Sequence, residues 1–362
     1  MPSAISIRQV PGKPGQVYYP LERISLPTPD PGPTQAVVRL SAAALNHRDL
    51  FIRQHLYPGT TFGVPLLADG CGVVESAGSA LETQRWVGRR VVLNPGTGWR
   101  DAPEGPEGPK GYAILGGTKA NAVGTLAETA VVDAAELEEA PAHLSDAEAA
   151  ALPLTGLTAF RAVFTKSGNA TPGRNVLITG IGGGVALMAL VFLVAVGANV
   201  FVSSGSEEKI RRALEMGAKG GVNYKEEGWE KTLLSMLPKE RSTLDAIIDG
   251  AGGDVVEKGA KLLKQGGVIV SYGMTLGPKM PFMMTAVLKN IDLRGSTMGS
   301  RKEFAEMIKF TNENKLHPVI SRVVQGMDNI DALDSLFEDM KKGSQFGKLV
   351  IQITKESDCS KL

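Results

Sequence analysis

Short apolar runs alternate with longer amphipathic segments through the middle of the chain. Between residues 175 and 296, the short runs are bounded by turn residues and predict buried strands, and the segments between them predict helices. Strands and helices that alternate in this way are typical of an α/β fold with a doubly wound parallel sheet. Strands are predicted at 176–179, 200–203, 245–249, 268–272 and 291–294, with helices centred on Leu190, Ala213, Leu234 and Gly259.

The flanking segments have a different pattern. The first 152 residues or so are β-like, with strand candidates at 35–40 and 127–132. Residues 94–124 are rich in Gly and Pro and predict a long irregular loop, a feature that is often functional. Beyond the central region, two helices and a closing strand are predicted at 301–312, 328–340 and 348–353.

A glycine cluster joins the first central strand to the helix that follows it. Gly180, Gly183 and Ala186 are spaced three residues apart. Gly180 would allow a tight turn, and Gly183 and Gly184 would let a pyrophosphate approach the backbone at a helix N-terminus. A tight strand–helix connection with no ligand would use the same glycines, so the flanking residues must decide between the two.

The residues after the second central strand favour a phosphorylated dinucleotide. Ser203 and Ser204 stand where an NAD site usually places an acid for the ribose 2′-hydroxyl. Lys209 follows within two turns, as do Arg211 and Arg212. A missing acid with nearby cations favours a 2′-phosphate and therefore NADPH. The alternative is that the cations form the solvated face of the next helix.

Length, charge and cysteine content narrow the class of protein. At 362 residues the chain is too long for one ordinary core, so two domains are expected. A net charge of +1 gives no electrostatic case for nucleic acid or a membrane surface as a partner, and the longest apolar run, 185–196, is too short to span a bilayer. The two cysteines, Cys71 and Cys359, support neither a disulfide framework nor a cysteine-based zinc site.

The final tripeptide, Ser360-Lys361-Leu362, matches a peroxisomal targeting signal. Such a signal is read by an import receptor when it stands free at the C-terminus. The sequence therefore predicts a peroxisomal location, with the import receptor as a partner. A solvated tail that happens to end in these three residues is the alternative.

Six segments carry a family resemblance: 44–49, 67–74, 149–159, the glycine cluster, 221–224 and 346–348. Together they resemble the medium-chain dehydrogenase/reductase superfamily, in its zinc-independent quinone oxidoreductase and enoyl reductase branch, over essentially the full length. The resemblance implies a GroES-like, β-rich catalytic domain at 1–153 that resumes at 297–362. It also implies a Rossmann NADP(H)-binding domain at 154–296, a small-molecule substrate in the cleft between the domains, and a homodimer.

The resemblance also implies a set of cofactor contacts. Ser204, Lys209 and Tyr224 would bind the 2′-phosphate, although an aromatic residue after a strand is often only a packing residue. Asn46 would lie near the nicotinamide. The full set of predicted cofactor-binding residues is Thr158, Gly180, Gly183, Gly184, Val185, Ser203, Ser204, Lys209, Tyr224, Gly273, Met274 and Lys348.

The chain departs from its zinc-dependent relatives at the metal ligands. Those relatives place Cys where Asn46 stands, His where Ala68 stands and Cys near Thr155. Thiolate and imidazole groups are the ligands that a tetrahedral catalytic zinc needs. No metal is therefore predicted.

Hydride transfer without a metal favours an acceptor that can spread negative charge. An α,β-unsaturated carbonyl or a quinone does so as an enolate or hydroquinone, which hydrogen-bond donors can stabilise. Asn46 is the predicted donor. Asp49 and Asp69 are candidates to position water or the ribose, with structural hydrogen bonding as the alternative.

The predicted function is therefore an NADPH-dependent oxidoreductase that transfers hydride to an activated C=C bond or a quinone. Two alternatives stay open at this point. One is a zinc-free reductase of ketones or aldehydes, which would turn over saturated carbonyls. The other is a non-catalytic NADPH-binding redox sensor, which would bind NADPH without hydride transfer.

Overall fold

The computed structural model describes residues 1–354, and the chain divides into two compact units. Met1–Leu154 and the chain from Ser300 onward form the first unit, and Thr155–Gly299 form the second. Ser360-Lys361-Leu362, on which the targeting prediction rests, lies outside the described residues.

The segment up to Leu154 consists mainly of short strands. They are β1 (Ser3–Ile7), β2 (Leu21–Ser25), β3 (Gln35–Ala44), β4 (Asp69–Ala77), β5 (Arg90–Leu93), β6 (Gly96–Thr97), β7 (Ala113–Ile114), β8 (Thr129–Asp133) and β9 (Leu137–Glu139). The helices are α1 (His47–Arg53), α2 (Leu81–Gln84), α3 (Asp146–Ala151) and α4 (Pro153–Phe160), which contains the boundary between the units.

Strands and helices alternate along the second unit. A π-helical segment, Arg161–Lys166, follows α4. The other elements are β10 (Asn175–Ile178), α5 (Gly184–Ala195), β11 (Asn199–Ser204), α6 (Glu207–Glu215), β12 (Gly220–Asn223), α7 (Trp229–Met236), β13 (Leu244–Asp249), α8 (Val255–Leu262), β14 (Leu263–Ser271), α9 (Met284–Leu288) and β15 (Asp292–Gly295). The chain then returns to the first unit with α10 (Arg301–Glu313), β16 (Ile320–Gln325), α11 (Ile330–Lys342) and β17 (Lys348–Gln352).

The sheet of the second unit confirms the predicted doubly wound architecture. Its strands are all parallel, in the order β12-β11-β10-β13-β14-β15. The chain moves outward in one direction from β10 to β12 and in the other from β13 to β15. The strand order therefore reverses between β10 and β13, which is the point where such sheets bind ligands beyond their carboxyl ends.

The main sheet of the first unit joins the two ends of the chain. Its order is β16-β17-β3-β4-β5-β9, with β8 also paired to β3. Strand β17 runs antiparallel to β3, and Val350 is opposite Ala44. This pairing brings the start of β17 beside the residues that follow β3. The β-rich, GroES-like class that the resemblance implies is confirmed.

Each unit has its own apolar core. Leu45, Leu50, Leu336 and Phe337 belong to the core of the first unit, which joins α1 to α11. The second unit buries Leu177, Phe201 and Ile247 from its central strands. Within residues 1–354, no helix is long and apolar enough to cross a membrane.

Candidate functional site

The glycine loop after β10 has backbone dihedral angles that residues other than glycine rarely adopt. Gly180 has φ +64° and Gly182 has φ +123°. Gly183 is the N-cap of α5, so the helix begins at Gly184. The first N–H groups of a helix have no partner within it, and here they lie beyond the carboxyl end of a central strand. The loop can therefore bind a pyrophosphate through the backbone at Gly184 and Val185.

The loop is held against the end of β11 and lies under a lysine side chain. The Ile181 N–H donates to the Ser203 carbonyl at 3.0 Å. A Cβ added at Gly182 would lie 2.8 Å from Cδ and 3.3 Å from Nζ of Lys209. Gly182 therefore makes room for Lys209, whose half-buried ammonium lies beside the loop. Burial of Lys209 lowers its pKa from the usual value, because the charged form loses solvation.

A hydroxyl and a second ammonium meet over Gly205, directly after β11. A Cβ at Gly205 would lie 2.7 Å from Cε of Lys225, 2.9 Å from the Tyr224 hydroxyl and 3.0 Å from Nζ of Lys225. The lack of a side chain at Gly205 therefore makes room for both groups. Tyr224 is 51% exposed, so its side chain is not a core packing residue.

Lys225 was not predicted from the sequence. The signal that would have found it is a lysine next to Tyr224 at the end of a strand that neighbours β11. The nearby carboxylate of Glu207 is engaged, because the Asn223 amide donates to its Oε1 at 2.8 Å. Ser204 is buried, and its Oγ accepts the Ser206 N–H at 3.2 Å. The end of β11 thus presents cations and hydroxyls.

A buried carboxylate organises the loop after β13. Asp249 accepts the Thr179 hydroxyl at 2.5 Å through Oδ1 and the Gly252 N–H at 2.9 Å through Oδ2. Burial raises the pKa of Asp249, and these hydrogen bonds oppose that shift. Asp249 lies at the switch point of the sheet and was not predicted as a site residue.

Two predicted cofactor residues, Gly273 and Met274, lie beside this loop, and a third, Thr158, lies in α4. Gly273 follows β14, and its carbonyl accepts the Ser271 hydroxyl at 3.2 Å. Met274 is exposed and lies against Gly252, 3.1 Å from a Cβ built there. Thr158 is buried in α4, and its Oγ1 lies 3.7 Å from Sδ of Met298.

In the first unit, three predicted residues form one buried polar cluster. Asn46 caps α1, Asp69 begins β4 and Lys348 begins β17. The Asn46 Nδ2 donates to Asp69 Oδ2 at 2.9 Å. Lys348 Nζ donates to Asn46 Oδ1 at 2.6 Å and to Asp69 Oδ2 at 2.7 Å. The exposed fractions of Asn46, Asp69 and Lys348 are 5%, 0% and 4%.

These partners fix the orientation of the Asn46 amide. An ammonium only donates and an ionised carboxylate only accepts, so Oδ1 must face Lys348 and Nδ2 must face Asp69. Nδ2 carries two hydrogens, and one of them goes to Asp69. Among residues 1–354, no side chain or carbonyl accepts the other. One N–H of Asn46 is therefore left for an acceptor that the described chain does not supply.

Asp49 and Asp69 both accept hydrogen bonds from groups within the chain. Asp49 is fully buried and accepts hydrogen bonds from the Asn46 backbone N–H at 2.8 Å and from Arg48 Nη1 at 2.9 Å. Burial raises the pKa of Asp49, and Arg48 opposes that shift. The second oxygen of Asp69 accepts the Leu154 N–H at 2.7 Å. Both carboxylates therefore position backbone and side-chain groups.

The backbone next to Asp69 is strained. Leu67 has φ +65°, a left-handed conformation that is unfavourable for a residue with a branched side chain. Its carbonyl accepts the Thr125 N–H at 3.0 Å, which helps to hold it there. Such strain clusters at functional sites.

The cluster does not fit a zinc ion. Ala68 presents a buried methyl group, and the Asn46 amide is bound at both ends. Across the described residues, no three His, Cys, Asp or Glu side chains are grouped to hold a metal. An amide and a methyl group do not supply the thiolate and imidazole that catalytic zinc requires.

Two family models match the chain. Residues 32–142 match the alcohol dehydrogenase GroES-like domain. Residues 184–313 match the zinc-binding dehydrogenase model. The two matches fall mainly in the first and the second unit, respectively.

Known proteins resemble the chain over nearly its full length. The zinc-type alcohol dehydrogenase-like protein YogA of Leptosphaeria maculans is 52% identical over 358 residues, which cover 98% of this chain and 100% of that protein. An acryloyl-coenzyme A reductase of Sulfurisphaera tokodaii is 28% identical, with 92% and 96% covered. A solved NAD-dependent alcohol dehydrogenase has a TM-score of 0.84 at 34% identity and covers 97% of this chain and 100% of its own.

Proposed function

Because this chain belongs to the medium-chain dehydrogenase/reductase superfamily, we propose that it is a zinc-independent, NADPH-dependent reductase of activated carbon–carbon double bonds. The chain is an oxidoreductase of that superfamily, with a nicotinamide dinucleotide as its cofactor. The observation that carries the proposal is the Asn46 amide, which offers one N–H where zinc-dependent members place a metal ligand.

The reaction follows from the donor that the site offers. When NADPH is bound, it supplies a hydride to the β-carbon of an α,β-unsaturated carbonyl and is oxidised to NADP+. The double-bond electrons then move onto the carbonyl oxygen as an enolate. The unused Asn46 N–H stabilises that oxygen, as hydrogen-bond donors stabilise developing oxyanions elsewhere. Solvent supplies a proton to the α-carbon, which completes the two-electron reduction.

The end of β11 supports NADPH over NADH. Lys209 and Lys225 bring ammonium groups to this region, and Tyr224 adds a hydroxyl. Charge-assisted hydrogen bonds of this kind suit a 2′-phosphate. The Glu207 carboxylate of this region accepts the Asn223 amide N–H at 2.8 Å. NAD appears in the name of one similar structure, so cofactor preference has to be measured directly.

Reduction of a carbon–carbon double bond is supported by relatives as well as by the site. Acryloyl-coenzyme A reductases of Sulfurisphaera tokodaii and Metallosphaera sedula are similar over 92% and 89% of this chain. Relatives named alcohol dehydrogenases favour carbonyl reduction as the second candidate. The lack of a zinc-type ligand set at Asn46 and Ala68 weighs against that candidate, because an alkoxide forms most readily on a Lewis acid.

The test is NADPH consumption by chelator-treated protein, with a 2-alkenal compared against the saturated aldehyde of equal length. Turnover of the alkenal alone is the expected result. Turnover of both would replace the proposal with carbonyl reduction, and turnover of neither alkenals nor quinones would leave the NADPH-binding alternative. Parallel titrations with NADPH and NADH test the cofactor, and an NADH preference would contradict that part of the proposal.

Self-association is a separate proposal, in which the chain forms a homodimer. Leu276, Phe282, Met284 and Leu288 are large, exposed apolar residues in one stretch of the second unit, just before the edge strand β15. Exposed apolar patches beside an open sheet edge are typical of protein interfaces. Light scattering is expected to give the mass of two chains, and Leu288→Glu is expected to shift it toward one. A monomeric wild type would contradict this.

Peroxisomal import is proposed on Ser360-Lys361-Leu362 alone. A fluorescent protein fused ahead of the chain, so that the C-terminus stays free, is expected to enter peroxisomes. The same fusion without the last three residues is the control. A cytosolic signal from the complete fusion would overturn this proposal and leave the enzymatic one intact.

A further inference from the structure

We propose that Lys348 is a positioning residue that acts through Asn46, so that an amide and an ammonium together do the electrostatic work of the missing metal. This inference rests on the proposed function. Lys348 was predicted to contact the cofactor, but its ammonium is directed at Asn46 Oδ1 and Asp69 Oδ2, at 2.6 and 2.7 Å. Asn46, Asp69 and Lys348 thus form a closed ring of hydrogen bonds.

The first effect of Lys348 is on the orientation of the amide. Without Lys348, Asp69 alone would orient the amide, through its hydrogen bond from Nδ2. With Lys348 in place, rotation of the amide by 180° would set Oδ1 against the carboxylate and Nδ2 against the ammonium. Both contacts would be repulsive, so the free N–H has one fixed position.

The second effect of Lys348 is on charge. Asp69 is fully buried, and its carboxylate touches the same amide nitrogen that would donate to an enolate. An enolate forming beside an uncompensated carboxylate would be disfavoured, because like charges repel strongly where water is excluded. The Lys348 ammonium cancels that charge. Its bond to Oδ1 also polarises the amide, which strengthens the remaining N–H as a donor.

The backbone holds Lys348 where these effects require it. The Lys348 N–H donates to the Val319 carbonyl at 2.8 Å, and β17 is paired on both sides. Gly347 has φ +113°, and a Cβ there would lie 2.3 Å from the Val319 oxygen. The residue before Lys348 must therefore be glycine, which fixes the point from which the lysine side chain extends.

The test is a double-mutant cycle on turnover of a 2-alkenal, with NADPH dissociation constants measured for each variant. We expect Asn46→Ala to lower kcat by about 10²–10³-fold, as loss of an oxyanion donor does elsewhere. We expect Lys348→Met to lower kcat at least about tenfold in the wild type but less than about threefold in Asn46→Ala, because coupled groups are not additive. NADPH dissociation constants should stay within about twofold. Lys342→Met, at an exposed lysine in α11, is the control and should be silent.

Two results would overturn the inference. If Lys348→Met lowers kcat equally in both backgrounds, the lysine acts independently of Asn46. If it raises the NADPH dissociation constant and leaves kcat unchanged, Lys348 is a cofactor contact instead. Should Lys348→Met fail to fold, Asp69→Asn/Lys348→Met removes both buried charges together. That pair is expected to fold with kcat at least about tenfold lower, and wild-type kcat from it would contradict the inference.

A measurement without turnover separates this inference from the proposed function. The side-chain amide resonances of Asn46 are identified in ¹⁵N spectra by their loss in Asn46→Ala. They are expected to shift strongly in Lys348→Met and to stay nearly unchanged in Lys342→Met. Unchanged resonances with an active wild type would overturn only the role of Lys348. A wild type that reduces no double bond would overturn the proposed function, whatever the spectra show.

Discussion

The charged groups around Asn46 and those at the end of β11 are arranged in opposite ways. In the first unit, the charged groups around Asn46 are buried and paired within the chain: Lys348 pairs with Asp69, and Arg48 pairs with Asp49. In the second unit, the groups at the end of β11 are open. Tyr224 and Lys225 are exposed, and no carboxylate within residues 1–354 pairs with the Lys225 ammonium.

The difference indicates what each set of charges can do. In a buried ion pair, the attraction between the two groups holds them in one geometry. Removal of one partner leaves the other as an uncompensated buried charge. An open cation is solvated until a ligand arrives, so its interaction is available for binding. The first arrangement suits the placement of one N–H on Asn46, and the second suits capture of a phosphate. Variants in the two regions should therefore fail in different assays.

Removal of the Lys348 charge should have the largest effect on stability. Lys348→Met leaves Asp69 buried without a counter-charge, and we expect a loss of about 3–5 kcal/mol in the free energy of unfolding. Denaturant titration measures it. Asp69→Asn/Lys348→Met should recover much of that loss, because neither charge remains. Equal losses in the two variants would show that charge pairing is not the cause.

Removal of the Asn46 amide should affect turnover most. Asn46→Ala is expected to raise the barrier for alkenal reduction by about 3–4 kcal/mol while NADPH affinity is maintained. Steady-state kinetics with a separate binding titration measure both. Asn314→Ala, at an exposed asparagine that follows α10, is the control. A loss of NADPH affinity equal to the loss of kcat would contradict the assignment of Asn46 to turnover rather than to cofactor binding.

Removal of an open cation should affect only the phosphorylated cofactor. Lys225→Ala is expected to weaken NADPH binding by about tenfold, or about 1.4 kcal/mol, and to leave NADH binding unchanged. Fluorescence titration of both dinucleotides measures this, with Lys219→Ala at another exposed lysine as the control. Equal weakening of NADH would mean that Lys225 does not read the 2′-phosphate.

The smallest expected effect is a pH dependence at Lys209. Its lowered pKa means that the ammonium loses its proton at a lower pH than an ordinary lysine does. NADPH affinity should therefore be complete near neutral pH and weaken as the pH rises through the alkaline range, while NADH affinity stays flat. Lys209→Arg should remove the dependence, since arginine keeps its charge. A dependence that persists in Lys209→Arg would assign it to another group.

The sequence predicted the second unit well because its signals are local. Apolar runs gave β10, β11 and β13 within one residue at either end, since buried parallel strands are nearly continuous apolar segments. The pattern did not predict β12, where two glycines, Gly220 and Gly221, dilute the strand signal. It also placed the start of β14 at 268, whereas the strand begins at Leu263, directly after α8.

The contacts within the candidate site could not be predicted from local sequence patterns. Asn46 could be named as a donor because a motif surrounds it, but its hydrogen bond to Lys348 spans 302 residues and depends on β17 pairing with β3. No periodicity encodes that contact. Lys225 was missed for a similar reason, because only the parallel pairing of β12 with β11 brings it over Gly205.

The pairing of β17 with β3 also sets an order of events during synthesis. Asp69 leaves the ribosome 279 residues before Lys348, and until then its carboxylate lacks its counter-charge and the end of β3 lacks its partner strand β17. The first unit can therefore close only after the whole second unit has been translated. A chain that stops short of β17 would contain every glycine of the dinucleotide loop and still be a poor enzyme, with an open sheet edge that invites aggregation.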